Sequence, residues 1–178
     1  IDWLYKDGAR RIFPDYWEEF ESHIPESERG DLLQAYHDRL TGDDELARMA
    51  AAKHWSAWEG NCSKLRPSRE ALASFTKPHN ALALSRIEIH YFMNKGFIDE
   101  NLILENLQLI ADIPGRIVQG RYDMVCPPIS AFELHRAWPG SELKMVADGG
   151  HALSEPGITA ELLMATDAAR VGRAEAAE

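Results

Sequence analysis

The 178-residue sequence predicts an α/β fold, in which a block of helices over residues 1–108 precedes the last βαβ portion of a parallel sheet over residues 109–178. Three observations predict it. Apolar residues recur at helical spacing through the first block, which holds few candidate strands; short apolar runs ending in glycine begin only after Pro114; and a helix-length segment separates two such runs.

Element by element, Pro14 suits the first turn of a helix over 15–22. "RGDLLQAYHDRLTG" brings Leu32, Leu33, Tyr36 and Leu40 near one face and stops at Gly42. "DDELARMAAAKHWSAWEG" opens with acids that favour a helix N-terminus and stops at Gly60. "ALALSRIEIHYFMNKG" is a fourth helix, and "DENLILENLQLI" a fifth with acids at its front. Beyond Pro114, "IPGRIVQGRYD" reads as a strand ending at Gly120 and "SELKMVADGG" as another ending at Gly149 and Gly150. "PPISAFELHRAW" between them is a helix, so the strands pair in parallel through a right-handed crossover. Two parallel strands make no stable sheet by themselves, because such sheets are covered on both faces and need further strands. The fold is therefore expected to be incomplete. "ITAELLMATDAARVGRAEAAE" closes the chain as a helix that frays into Ala and Glu.

Composition narrows the function classes. With 29 acidic against 19 basic residues the formal charge is −10, a field that repels nucleic acid and draws in cations such as a peptide's free amino terminus. Cys62 and Cys126 are the two cysteines and form no CxxC pattern, which argues against a disulfide framework or a structural zinc site and for reduced thiols in the cytoplasm. No apolar run approaches the roughly 20 residues of a membrane span. The seven histidines show no HExxH pattern, and neither a metal nor an organic cofactor is expected.

The chemistry concentrates after the two strands. Asp123 follows the first in "GRYDMVCP" and His151 follows the second in "DGGHALSEPG". In parallel α/β folds the carboxyl ends of strands form the ligand-binding rim, so the two residues are expected to meet there. A carboxylate accepting from one imidazole nitrogen fixes the tautomer and leaves the other nitrogen to take a nucleophile's proton. Acid then histidine, each after a strand, is the order of α/β-hydrolases, whose serine precedes them on a nucleophile elbow. No G-x-S-x-G occurs here, and Ser63 and Ser154 lack a strand-to-helix setting. The nucleophile is expected upstream of Ile1, which would leave this chain inert by itself.

Two acids in the helical block stand among apolar residues. Leu84, Ile87, Glu88 and Tyr91 are spaced as one helical stripe with an acid at its middle, and Glu59 lies next to Trp58 and one turn after Trp55. The pattern leaves two readings open. Each acid either pairs with a nearby Lys or Arg or lies at a stripe's edge, or the two together receive one ammonium group. At about 4 Å and an effective dielectric near 20, each such contact is worth roughly 4 kcal/mol before desolvation.

"IFPDYWEEF", "WSAWEG", "RIEIHYF", "IVQGRYDMVCP", "LHRAWPG" and "DGGHALSEPGI", in that order, resemble the proline iminopeptidases (prolyl aminopeptidases) of the α/β-hydrolase superfamily, from about Ile1 to Asp167. The resemblance implies that residues 1–108 are a helical cap and residues 109–178 the C-terminal portion of an α/β-hydrolase core, whose N-terminal part is missing. It implies Asp123 as triad acid and His151 as general base. It further implies Glu59 and Glu88 as acids holding the substrate's amino-terminal nitrogen, with Cys126 and Tyr5 lining the proline-ring pocket. The implied substrates are peptides with an N-terminal proline. One departure stands out: Ile89 follows Arg-Ile-Glu where the family usually carries a polar residue.

Two other classes fit parts of the pattern. Another capped α/β-hydrolase, an esterase, lactonase or epoxide hydrolase, would leave the two cap acids incidental. A non-catalytic interaction module would use the open sheet edge to pair with another polypeptide.

Overall fold

The computed structural model describes residues 1–66 and 68–175, with side chains through residue 170. The Ala- and Glu-rich end at 176–178 lies outside the described residues. The described chain is mostly helical, with one small parallel sheet, and divides into two compact units, Ile1–Glu100 and Asn101–Glu178. The change of character read from the sequence at 108/109 falls inside the second unit.

In the first unit, α1 (Asp2–Tyr5) and a 3₁₀ turn lead to α2 (Pro14–Ser22), whose first residue is the proline. α3 (Leu32–Thr41) and α4 (Glu45–Cys62) begin on aspartates: Asp31 accepts from the Gln34 N–H at 3.1 Å, and Asp44 from the Ala47 N–H at 3.0 Å. Such caps satisfy donors that a helix start leaves unpaired, each worth about 1 kcal/mol. α5 (Arg69–Phe75) is capped by Ser68, and α6 (Pro78–Met93) again starts on proline.

The core of this unit is aromatic. Phe20 of α2 stacks on Tyr36 of α3 at 4.4 Å, Trp17 meets Trp58 edge-on at 5.3 Å, and Tyr5 stacks on Trp55 at 4.6 Å. Tyr36 donates its hydroxyl to the Phe20 carbonyl at 2.8 Å, so its polar tip enters the core satisfied. α4 supplies small residues, Ala51, Ala52 and Ser56, on the same buried side as its tryptophans. α6 answers with Ala81 and Ser85. Small residues on both helices permit close approach, and the Ser56 hydroxyl reaches the Ala81 carbonyl at 3.5 Å.

Two sequence expectations fail here. α4 does not stop at Gly60 but runs to Cys62, because that glycine is a contact rather than a terminator. A Cβ there would stand 3.2 Å from Leu72 and 3.4 Å from Phe75, so its absence lets α5 lie against α4. The single fifth helix over 99–110 is instead a left-handed Asn101 (φ 63°), one turn of α7 (Leu102–Glu105) and a 3₁₀ turn, Leu107–Leu109. Asn106 breaks it by donating its side-chain amide to the Leu102 carbonyl at 2.7 Å, a local bond that competes with the helical ladder.

The second unit continues with β1 (Gly115–Gly120), α8 (Pro128–Ala137), β2 (Ser141–Val146) and α9 (Pro156–Glu175). β1 and β2 pair in parallel, from Gly115 opposite Ser141 to Gly120 opposite Val146. α8 and α9 both pack on the two strands. The strand–helix–strand order and the parallel pairing are as the sequence predicts, with the second strand ending at Val146 rather than at Gly149 and Gly150.

Candidate active site

β1 and β2 end level with one another, and backbone hydrogen bonds tie together the loops that leave them. The Arg121 N–H donates to the Val146 carbonyl and the Tyr122 N–H to the Gly149 carbonyl, each at 2.9 Å. Gly120 makes this possible, since a Cβ there would lie 2.0 Å from the Gly150 oxygen and 2.7 Å from the Gly149 oxygen. The two loops therefore close on one another directly after the strands.

Closure brings Asp123 to His151, with Oδ2 3.0 Å from Nδ1. The carboxylate is 6% exposed and fully engaged. Oδ1 accepts the backbone N–H groups of Val125 (3.0 Å) and Cys126 (2.8 Å), while Oδ2 also accepts Gln119 Nε2 (3.1 Å). Burial alone would raise the Asp123 pKa. The hydrogen bond with His151 and the backbone donors outweigh burial and hold it below the usual carboxylate range. The same bond, with a second to the Cys126 side chain, pushes the His151 imidazole up to about 10 against a smaller opposing effect of burial. His151 keeps 38% of its side chain exposed, so the dyad has a buried acid and an accessible base. Gln119 is a residue that sequence reasoning missed. Its signal was position: the penultimate residue of a strand, four before the acid.

In the first unit, Tyr5 donates its hydroxyl to Glu59 Oε1, and the Trp55 indole Nε1–H donates to Glu88 Oε2 at 2.7 Å. Glu59 is 7% exposed. Burial, then the charges of Glu59 and Glu88, raise the Tyr5 hydroxyl pKa far above its ordinary value, so Tyr5 stays a donor and senses both carboxylates. Burial and Glu59 also push the Cys62 thiol up.

The stripe through which Glu88 was read is not the buried one. Ile87 is 60% and Tyr91 50% exposed, whereas Ala81, Ser85 and Ile89 are buried. The register is one position off because the small residues, not the large ones, face α4. Glu88 sits beside that face, and Ile89 is core. Ser63 is buried and donates to the Glu59 carbonyl at 2.6 Å, closing the end of α4. Cys126 is exposed. Among the described residues no three His, Cys, Asp or Glu side chains converge as metal ligands would, and no helix is long and apolar enough to cross a membrane.

No protein-family model matches the chain. It is, however, similar to curated proline iminopeptidases: 49% identical to that of Xylella fastidiosa (strain Temecula1 / ATCC 700964) over 168 residues, which is 94% of this chain and 54% of the relative. The proline iminopeptidase of Arabidopsis thaliana is 50% identical over 169 residues, 94% of this chain and 44% of its own length. The chain is a homologue of the proline iminopeptidases. Similarity extends to the enzyme of Neisseria gonorrhoeae, 38% identical over 170 residues. The chain spans about half the length of the curated relatives it matches.

Proposed function

We propose that this chain is the C-terminal part of a serine aminopeptidase of the α/β-hydrolase superfamily that releases N-terminal proline from peptides. One observation carries the reading: a buried, fully bonded Asp123 lies 3.0 Å from an accessible His151 after paired parallel strands, in a chain 49% identical to a proline iminopeptidase over nearly all its length.

In this reading residues 1–108 act as the cap, and a serine and oxyanion hole come from a segment outside these 178 residues. Glu59 and Glu88 hold the ring ammonium of the substrate's proline, with Tyr5 beside Glu59; Cys126 is assigned to the proline ring by the resemblance alone. Asp123 keeps the His151 Nδ1–H in place, so Nε2 takes the serine proton as the hydroxyl oxygen attacks the proline carbonyl. The imidazolium, favoured by Asp123, then returns that proton to the departing peptide amine, leaving an acyl-enzyme that water hydrolyses by the same base. No cofactor enters. Two cysteines without a disulfide suit a reducing compartment, and we place the enzyme in the cytoplasm.

The test compares proline p-nitroanilide with p-nitrophenyl acetate, using the chain alone and the chain extended upstream through its own gene. Expected are no turnover by the chain alone and preferential cleavage of the anilide by the extended protein. Robust turnover by the pure chain would refute the external serine, and cleavage of the acetate alone would favour an esterase.

A further inference from the structure

One of the bonds that place Glu88 comes from a neutral donor, the Trp55 indole N–H at 2.7 Å. Trp55 is fully buried, and its ring stacks on Tyr5 with 4.6 Å between centroids and 24° between planes. Tyr5 in turn donates to Glu59. Trp55 and Glu59 lie one turn apart on α4 while Glu88 belongs to α6, so one stacked pair of rings orients carboxylates from two helices. An indole or phenol donor fixes a carboxylate oxygen and leaves the negative charge in place. A Lys or Arg in the same position would orient the group equally well but weaken its hold on a cation.

Burial alone does not account for this bond. Trp58, three residues along the same helix and 1% exposed, has a buried Nε1 with no hydrogen-bond partner, so the core of this unit accommodates an indole N–H without one. Trp55 is instead aimed across the helix pair at an acid.

We propose that Trp55 is a positioning residue for amine recognition, holding the Glu88 carboxylate in register with Glu59 for a cationic N-terminal amine. This rests on the reading of Glu59 and Glu88 as ammonium-binding acids. It assigns selectivity for charged over neutral ligands partly to a residue that need not touch the ligand.

The test titrates the upstream-extended protein with L-prolinamide, at a pH where its amine is protonated, and with neutral N-acetyl-L-prolinamide, followed by ¹H–¹⁵N spectra. Expected in the unsubstituted protein is a shift of the Trp55 Nε1–H resonance with prolinamide alone. Trp55→Phe, which keeps a ring on Tyr5, should weaken prolinamide binding roughly tenfold, the scale of one hydrogen bond to a charged group. It should weaken binding no further when combined with Glu88→Gln. If prolinamide binds no better than its acetylated form, or Glu88→Gln leaves its binding unchanged, the ammonium reading falls and the role of Trp55 with it. If Glu88→Gln weakens binding but Trp55→Phe does not, the role of Trp55 alone falls. Should Trp55→Phe not fold, an unmoved Trp55 resonance in the unsubstituted protein overturns the proposal equally.

Discussion

Asp123 Oδ2 accepts a hydrogen bond from His151 Nδ1 at 3.0 Å while its other oxygen accepts two backbone N–H groups. A carboxylate so bound cannot rotate, and it dictates which imidazole nitrogen carries the proton. The bond also links stability to pH. His151 rises from 6.5 to about 10 on folding, so its contribution is fully present below about pH 6.5 and is lost as pH climbs through 10. Asp123 is held below 3.8, so its share is present above that value and is lost as pH falls through its lowered pKa. Both describe one bond and are not to be added. With the ring partly exposed, screening leaves it on the order of 1 kcal/mol. Urea denaturation should show the stability advantage of the wild type over His151→Ala shrinking from about pH 6 to about pH 10. In the extended enzyme kcat/KM should rise over the same interval as the neutral, base-competent ring accumulates.

Gly120 is where loop closure meets a steric limit. Gly120→Ala puts a methyl 2.0 Å from the Gly150 oxygen, against backbone that cannot swing aside. Destabilisation of about 2–4 kcal/mol is expected, with loss of the Asp123–His151 bond. Thermal melting measures the first effect and the His151 ring resonances the second. A variant as stable as the wild type would show that the two loops can part without cost.

Glu88→Gln keeps the shape and the Trp55 bond while removing the charge. In the extended enzyme it should raise KM for proline p-nitroanilide by tenfold or more, with p-nitrophenyl acetate hydrolysis changed less than twofold. Equal losses on both substrates would assign Glu88 a structural role.

The dyad was legible from sequence because the two strands of a βαβ unit run parallel and release their loops at the same end: Asp123 and His151 had one rim to share. Tyr5 was nameable through the resemblance alone, since no periodicity links residue 5 to residue 59. The Trp55–Glu88 bond crosses two helices, and its partners lie 33 residues apart. Helical spacing misled on α6 for a physical reason. Large apolar residues mark a buried stripe only where the opposing helix leaves room, and α4 presents Ala51, Ala52 and Ser56, which draw small residues inward. The broken helix after Glu100 failed similarly: acids and apolar spacing spoke for a helix, and the Asn106 side chain and a left-handed Asn101 decided otherwise.

Steady-state hydrolysis of proline p-nitroanilide by the upstream-extended protein, wild type against Asp123→Asn, tests the catalytic assignment most directly. Asparagine fits the space of the carboxylate but cannot hold His151 in the base-competent tautomer. A fall in kcat of roughly 10⁴ is expected. A variant retaining kcat within tenfold of the wild type would contradict the assignment of Asp123 and His151 as the acid and base of the reaction.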